Sequence, residues 1–163
     1  MSFSGSSLWD LFSSEADSLV NTYSLSVKIM CNIPRETHRY LIEPISERPH
    51  LKFILIKRFL GFKNQVNKCP KSIIKKFFKL CQNDTQSITG SNFRKIMLLC
   101  KKTSIDHIVD TDIDNLSFCE IPENEEWRLN LVKDLIEARN DPEVLPGFSY
   151  AEITDMLEFT CVS

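Results

Sequence analysis

Apolar residues recur three or four positions apart along almost the whole chain, a spacing that fits helices and leaves no convincing pair of strands. Between residues 13 and 31, Ala16, Leu19, Tyr23, Val27 and Met30 fall on one stripe, with Ser13 or Ser14 as cap and Glu15 and Asp17 in the first turn. Pro34 ends that helix. A short helix is expected from about Arg35 to Glu43, stopping before Pro44. Ser46 is the expected cap of a longer one, with Pro49 in its first turn. There Leu51, Phe53, Ile54, Leu55, Ile56, Phe59, Leu60 and Phe62 cover most of the cylinder, so burial on more than one side is expected. A buried strand over 51–56 is the alternative, and the element is too long for it.

Residues 70–82, "PKSIIKKFFKLCQ", make a cleaner amphipathic pattern. Ile73, Ile74, Phe77, Phe78, Leu80 and Cys81 share one face, while Lys71, Lys75 and Lys79 form an i, i+4, i+8 stripe opposite, with Lys76 beside it. Ser91, after Gly90, is the expected start of the next helix, which runs through Leu99 to Lys101 and Lys102. Pro122 opens a helix to about Arg139, acidic at its start, with Trp127, Leu131, Leu135 and Ala138 as its buried stripe. "LPGFSYAE" breaks the chain before a last helix, in which Ser149 and Glu152 have capping-box spacing and Ile153, Met156, Leu157 and Cys161 face inward. The expectation is an all-α, irregular helical bundle of six to eight helices with no significant sheet.

A chain of 163 residues with 42% hydrophobic side chains can build a core of its own. No apolar run reaches the roughly 18 residues needed to span a bilayer, so no membrane partner is expected. "MSFSGSSLWDLF" lacks the basic start and long apolar stretch of a secretory signal. The six cysteines, Cys31, Cys69, Cys81, Cys100, Cys119 and Cys161, include no C-x-x-C and are read as reduced thiols. The expected setting is intracellular, nuclear or cytoplasmic, where the sequons at Asn83 and Asn115 stay silent.

A net charge of −2 conceals a sharp segregation. Residues 1–51 sum to −2, residues 52–102 carry thirteen Lys/Arg against the single acid Asp84, and residues 103–163 carry three Lys/Arg against fifteen acids. Two regions are expected on that basis: 1–102, holding the basic block, and an acidic 103–163 packed on it. Three readings of the block stay open. It can be a field for a polyanion, its lysines roughly 6 Å apart per helical turn and suited to phosphates. It can be a solvated face that meets the acidic third. It can be a helix for a membrane surface or an acidic partner.

No convergent site for chemistry emerges. The three histidines, His38, His50 and His107, are not spaced to select a cysteine or acid partner. "DTDIDNLSFCEI" places Asp110, Asp112 and Asp114 like the start of a calcium loop, but Asn115 stands where glycine is needed and Ile121 where a bidentate carboxylate is needed. Gly61 and Gly90 stand alone, without a phosphate loop around them. No catalytic residue, metal or cofactor is expected.

The stretch "SSLWDLFSSEADSLVNTYSLSVKIMCNIPRETHRYLIEPIS" resembles the segment after the catalytic palm in non-LTR (LINE-type, Jockey/CR1-like) retrotransposon reverse transcriptases. Leu8-Trp9, Pro34, Thr37-His38-Arg39-Tyr40, Glu43-Pro44 and Arg58-Phe59-Leu60 carry the resemblance, and "TGSNFRKIMLL" and "LPGFSYAEITDMLEFTC" extend it; residues 103–144 match weakly. Tyr23-Ser24 stands where the family has Trp-Asn, and Lys28 replaces an arginine. The resemblance implies a thumb and C-terminal tail, structural roles for Trp9, Pro34, Thr37, His38, Arg39, Tyr40 and Glu43, and phosphate contacts from Lys52, Lys57, Arg58, Lys71, Lys75, Lys76 and Lys79. The implied partners are RNA or an RNA–DNA hybrid, and the palm and fingers of a parent polymerase. The F/Y-x-D-D metal-binding motif is absent from the sequence, so a non-catalytic module is expected. The alternative is a truncated or domesticated remnant that acts through protein contacts or not at all. Within "IPRETHRYLIEPIS", the expectation is an ion-pair chain Glu36–Arg39–Glu43 on a short helix, with His38 as a hydrogen-bonding hinge.

Overall fold

The computed structural model describes residues 5–114, 116, 125–141 and 143–162. Among these residues there are eight α-helices and no strand: α1 (Ser14–Met30), α2 (Arg39–Ser46), α3 (Leu51–Lys68), α4 (Ser72–Asn83), α5 (Ile88–Leu99), α6 (Asp110–Asp114), α7 (Glu126–Asn140) and α8 (Tyr150–Val162). The all-α expectation holds. Two short 3-10 turns, Ser6–Leu8 and Ile105–His107, complete the order.

The helices divide into two compact units that interleave in sequence. Unit 1 comprises Met1–Val20 and His50–Ser117; unit 2 comprises Asn21–Pro49 and Phe118–Ser163. The division falls inside α1 and does not follow a single cut between 102 and 103. In unit 1, α3 packs on the 6–8 turn, α4 and α6, and α5 packs on α4 and the 105–107 turn. Leu51, Leu55, Ile56 and Phe59 of α3 are almost completely buried, each side chain contributing about 1.5–3 kcal/mol. Phe93 of α5 lies 4.8 Å from Phe59 and 5.9 Å from Phe78, ring centre to ring centre. In unit 2, α7 packs on α8 and α2, around Leu41, Leu129, Val132, Leu135, Ala138, Ile153, Leu157 and Cys161.

Several helix ends differ from expectation, each for a local reason. α2 begins at Arg39 and carries Pro44 within it. The proline forfeits a bond to the Tyr40 carbonyl, and burial of Leu41 and Ile42 offsets that loss. α3 is capped by His50 and not by Ser46: the imidazole Nδ1 accepts from the Lys52 amide at 3.1 Å. α5 starts at Ile88, because Ser87 Oγ accepts from the Gly90 amide at 2.9 Å. The Ser13 cap and the Ser149–Glu152 capping box form as read, with Ser13 Oγ accepting from Ala16 and the Ser149 amide donating to Glu152. The Pro122 start lies outside the described residues; α7 is helical from Glu126.

The buried stripes shift as well. On α7 the inward line is Leu129, Val132, Leu135 and Ala138, and Trp127 and Leu131 face solvent. On α8 Met156 is exposed, and on α1 Met30 is exposed while Val20 is buried. Periodicity admits neighbouring stripes on one helix, and only the partner helix selects between them.

Just past the end of α5, Lys101 takes the left-handed conformation, φ +52°, with Lys102 N–H donating to the Met97 carbonyl at 2.9 Å and Lys101 N–H to Leu98 at 3.2 Å. Lys101→Gly is expected to stabilise unit 1 by about 0.5–1 kcal/mol, read as a raised denaturant midpoint with unchanged slope. A lowered midpoint would show that the lysine side chain, and not its backbone, matters there.

Candidate nucleic-acid interface

The two units differ in charge. Unit 1 holds thirteen Lys/Arg and eight Asp/Glu, net +5; unit 2 holds seven and fourteen, net −7. Within unit 1 many cations are already partnered. Lys52 is buried; its ammonium lies 2.9 Å from Asp17 and over the Phe12 ring at 4.8 Å. Lys57 pairs with Asp114, Lys63 with Asp106 at 2.6 Å, and Lys102 with Asp112 at 3.2 Å. The basic block therefore meets residues 106–114, the front of the acidic third, and Lys52 is withdrawn from the surface set. Asp106 sits well placed in this scheme: the Lys63 hydrogen bond and charge hold its carboxyl below the usual range.

α4 is different. Among the described residues no ion pair holds Lys71, Lys75, Lys76 or Lys79. Lys75, Lys76 and Lys79 line a groove of about 630 Å³ together with Lys63 and Asp106. Four ammonium groups against one carboxylate leave a local charge of +3. Asn67, Gln82, Asn83 and the Ser72 hydroxyl add neutral donors. Lys63 was not singled out from the sequence; its helical register on α3 points inward, and only the packing of α3 on α4 brings it to this groove. Lys71 is exposed at the N-cap of α4 and does not line the groove. Arg58 lies elsewhere, exposed beside Gly61, Phe62 and Gln65 on a shallow depression.

The apolar side of α4 is largely uncovered. Of its six apolar residues only Phe78 is buried. It packs edge-on against Phe62 of α3 and Phe93 of α5, each at 5.9 Å. That one aromatic meets the packing requirement of the helix, and Ile73, Ile74, Phe77 and Leu80 are left to solvent.

The 33–46 stretch lies in unit 2. Thr37 closes a turn, its amide and Oγ1 both bonding the Pro34 carbonyl. The Lys28 ammonium caps that turn by donating to the carbonyls of Arg35 and Thr37, and desolvation there pulls its pKa down. Glu36 precedes α2, so the helical Glu36–Arg39 step does not form; Arg39 donates to Asn21 instead, at 2.9 Å. Glu43 remains in helical register with Arg39, and partial burial pushes its carboxyl up. His38 makes no ring hydrogen bond among the described residues and stacks on Tyr40 at 5.4 Å. The Tyr40 hydroxyl donates to Glu125 and accepts from Arg128. In unit 1, Trp9 is partly exposed, and its carbonyl accepts from Asn92.

Among the described residues no group of three or more His, Cys, Asp and Glu could hold a metal. The start of the candidate calcium loop is helical as α6, with Asp112 and Asp114 engaged by Lys102 and Lys57; Asn115 and Ile121 lie outside the described residues. No described helix is long and apolar enough to cross a membrane. No family model, curated protein or solved structure matches the chain.

Proposed function

We propose that unit 1 is a non-catalytic module that grips a nucleic-acid backbone, and that the chain is the thumb and tail segment of a non-LTR retrotransposon reverse transcriptase, as its motifs suggest. The observation that carries the binding reading is selective pairing. Lys52, Lys57, Lys63 and Lys102 are in contact with carboxylates, whereas Lys75, Lys76 and Lys79 converge on one open groove whose carboxylate, Asp106, is in contact with Lys63 and only felt at a distance by Lys79. Point charges on mobile stems suit phosphates read without regard to sequence. RNA, alone or in a hybrid with DNA, is the proposed ligand, and the proposed setting is intracellular.

Replacing Lys75, Lys76 and Lys79 by alanine together is expected to weaken binding to an RNA–DNA hybrid and to flatten the log K against log salt slope by about two to three units. Lys57→Ala, which removes a paired cation, is expected to leave that slope unchanged. An unaltered slope in the triple variant removes the groove from the binding surface.

A second reading is a domesticated or truncated remnant that works through protein contacts. It is favoured by the pairing of Lys57, Lys63 and Lys102 with residues 106–114, which lowers the free charge of the basic block. If hybrid, single-stranded RNA and heparin all fail to bind at about 50 mM salt, where counterion release is strongest, this second reading stands and the first falls.

A further inference from the structure

We infer that α4 binds single-stranded nucleic acid, with bases stacked on an apolar platform made by Ile73, Phe77 and Leu80 and phosphates held by Lys75, Lys76 and Lys79. This rests on the proposed reading of unit 1 as a backbone-binding module and names the class of strand it takes. The three platform residues are 74%, 68% and 69% exposed, values that core side chains do not show. Their exposure is not needed for packing, since Phe78 alone inserts between Phe62 and Phe93.

Geometry gives the platform its direction. At about 100° per residue, Ile73, Phe77 and Leu80 fall within an arc of roughly 60°, and Lys75, Lys76 and Lys79 within roughly 100°. The two arcs are adjacent, Lys76 flanking Leu80. The platform runs from Ile73 to Leu80, seven helical steps or about 10 Å along the axis, enough for two bases. No acid interrupts either arc, because α4 contains none.

The one-sided arrangement decides among ligands. A duplex keeps its base faces stacked inside and would leave the apolar stripe against a hydrated backbone. A lipid interface favours lysines on both flanks of an apolar face, reaching up to the headgroups. Here the lysines lie on one flank only, and the other flank turns into the core at Phe78. An unpaired strand has that same profile, phosphates on one edge and π-faces on the other. Phe77 supplies the stacking surface; Ile73 and Leu80 widen it.

The test compares oligo(dT) with an abasic deoxyribose-phosphate oligomer of equal length and charge, at fixed salt, on the full chain. The wild type is expected to prefer oligo(dT) by about five-fold or more. Phe77→Ala, a change at an exposed position, is expected to abolish that preference and leave abasic affinity unchanged. Lys75, Lys76 and Lys79 replaced by alanine are expected to weaken both oligomers alike. Equal wild-type affinity for the two oligomers overturns the stacking inference and leaves backbone binding in place. Failure to bind either oligomer, with or without capture by anionic vesicles, overturns the single-strand inference, and failure of an RNA–DNA hybrid in the same assay overturns the backbone reading as well.

Discussion

Replacing Gly90 by alanine is expected to lower the melting temperature of unit 1 by roughly 10 °C. Gly90 is the third residue of α5, just after the turn from α4. A β-carbon there would lie inside van der Waals contact of the Asp84 carbonyl oxygen and 3.0 Å from the carbonyl oxygens of Cys81 and Gln82. All three atoms are backbone at the end of α4, so no side chain can swing aside. Two effects of opposite sign compete. Alanine favours helix over glycine by about 1 kcal/mol. Forcing a methyl against fixed carbonyls costs about 3 kcal/mol or more and wins. Thermal unfolding followed by far-UV circular dichroism checks this. A rise in melting temperature would mean that α4 and α5 do not approach as closely as described.

Asn92→Ala is expected to cost about 3 kcal/mol and to loosen the N-terminal segment before the rest of unit 1. Asn92 is completely buried on α5. Its Oδ1 accepts from the Leu11 amide at 3.1 Å, and its Nδ2 donates to the Trp9 carbonyl at 2.7 Å. Alanine leaves the buried Leu11 amide unpaired and takes the donor from the partly buried Trp9 carbonyl, which is costlier than the mean value of two hydrogen bonds. Asn92→Asp separates the two bonds. Its carboxylate can still accept from Leu11 but repels the Trp9 oxygen, so the folded state raises its pKa above the unfolded value near 3.9. Below the unfolded pKa the neutral acid can donate to Trp9 and most stability is present; it is lost as pH rises through the folded pKa. The deficit of Asn92→Asp relative to wild type should therefore shrink from pH 7 to pH 4.5, measured by denaturant titration. Equal deficits at both values would show that the Trp9 bond contributes little.

Local signals in the chain were legible where the deciding contact is local. Ser13 and the Ser149–Glu152 box cap their helices because partners three residues apart meet whenever a helix starts there. The burial of α3 on more than one side was legible because its apolar residues cover most of its circumference. Where one helix offers two apolar stripes, sequence does not choose between them, as with Trp127 against Leu129 on α7. The start of α3 was misplaced because histidine is an uncommon cap, and His50 serves through Nδ1.

The candidate site was legible only in part. Lys75, Lys76 and Lys79 were visible as a charged stripe. That Lys52 is consumed by Asp17, 35 residues away, and that Lys63 joins the groove, depends on long-range packing no window of sequence contains. The exposure of Ile73, Phe77 and Leu80 is not legible for the same reason: a pattern says that a face is apolar, not that anything covers it.

By itself, then, the order of residues determined that this chain is helical, where its charge blocks fall, and where the Ser13 and Ser149 caps sit, since these depend on neighbours within one or two turns. Only the tertiary structure decided which cations stay unpaired, which apolar stripes are covered, and why Gly90 and Asn92 stand where they do, because each of those outcomes turns on an atom supplied by a different element of the chain.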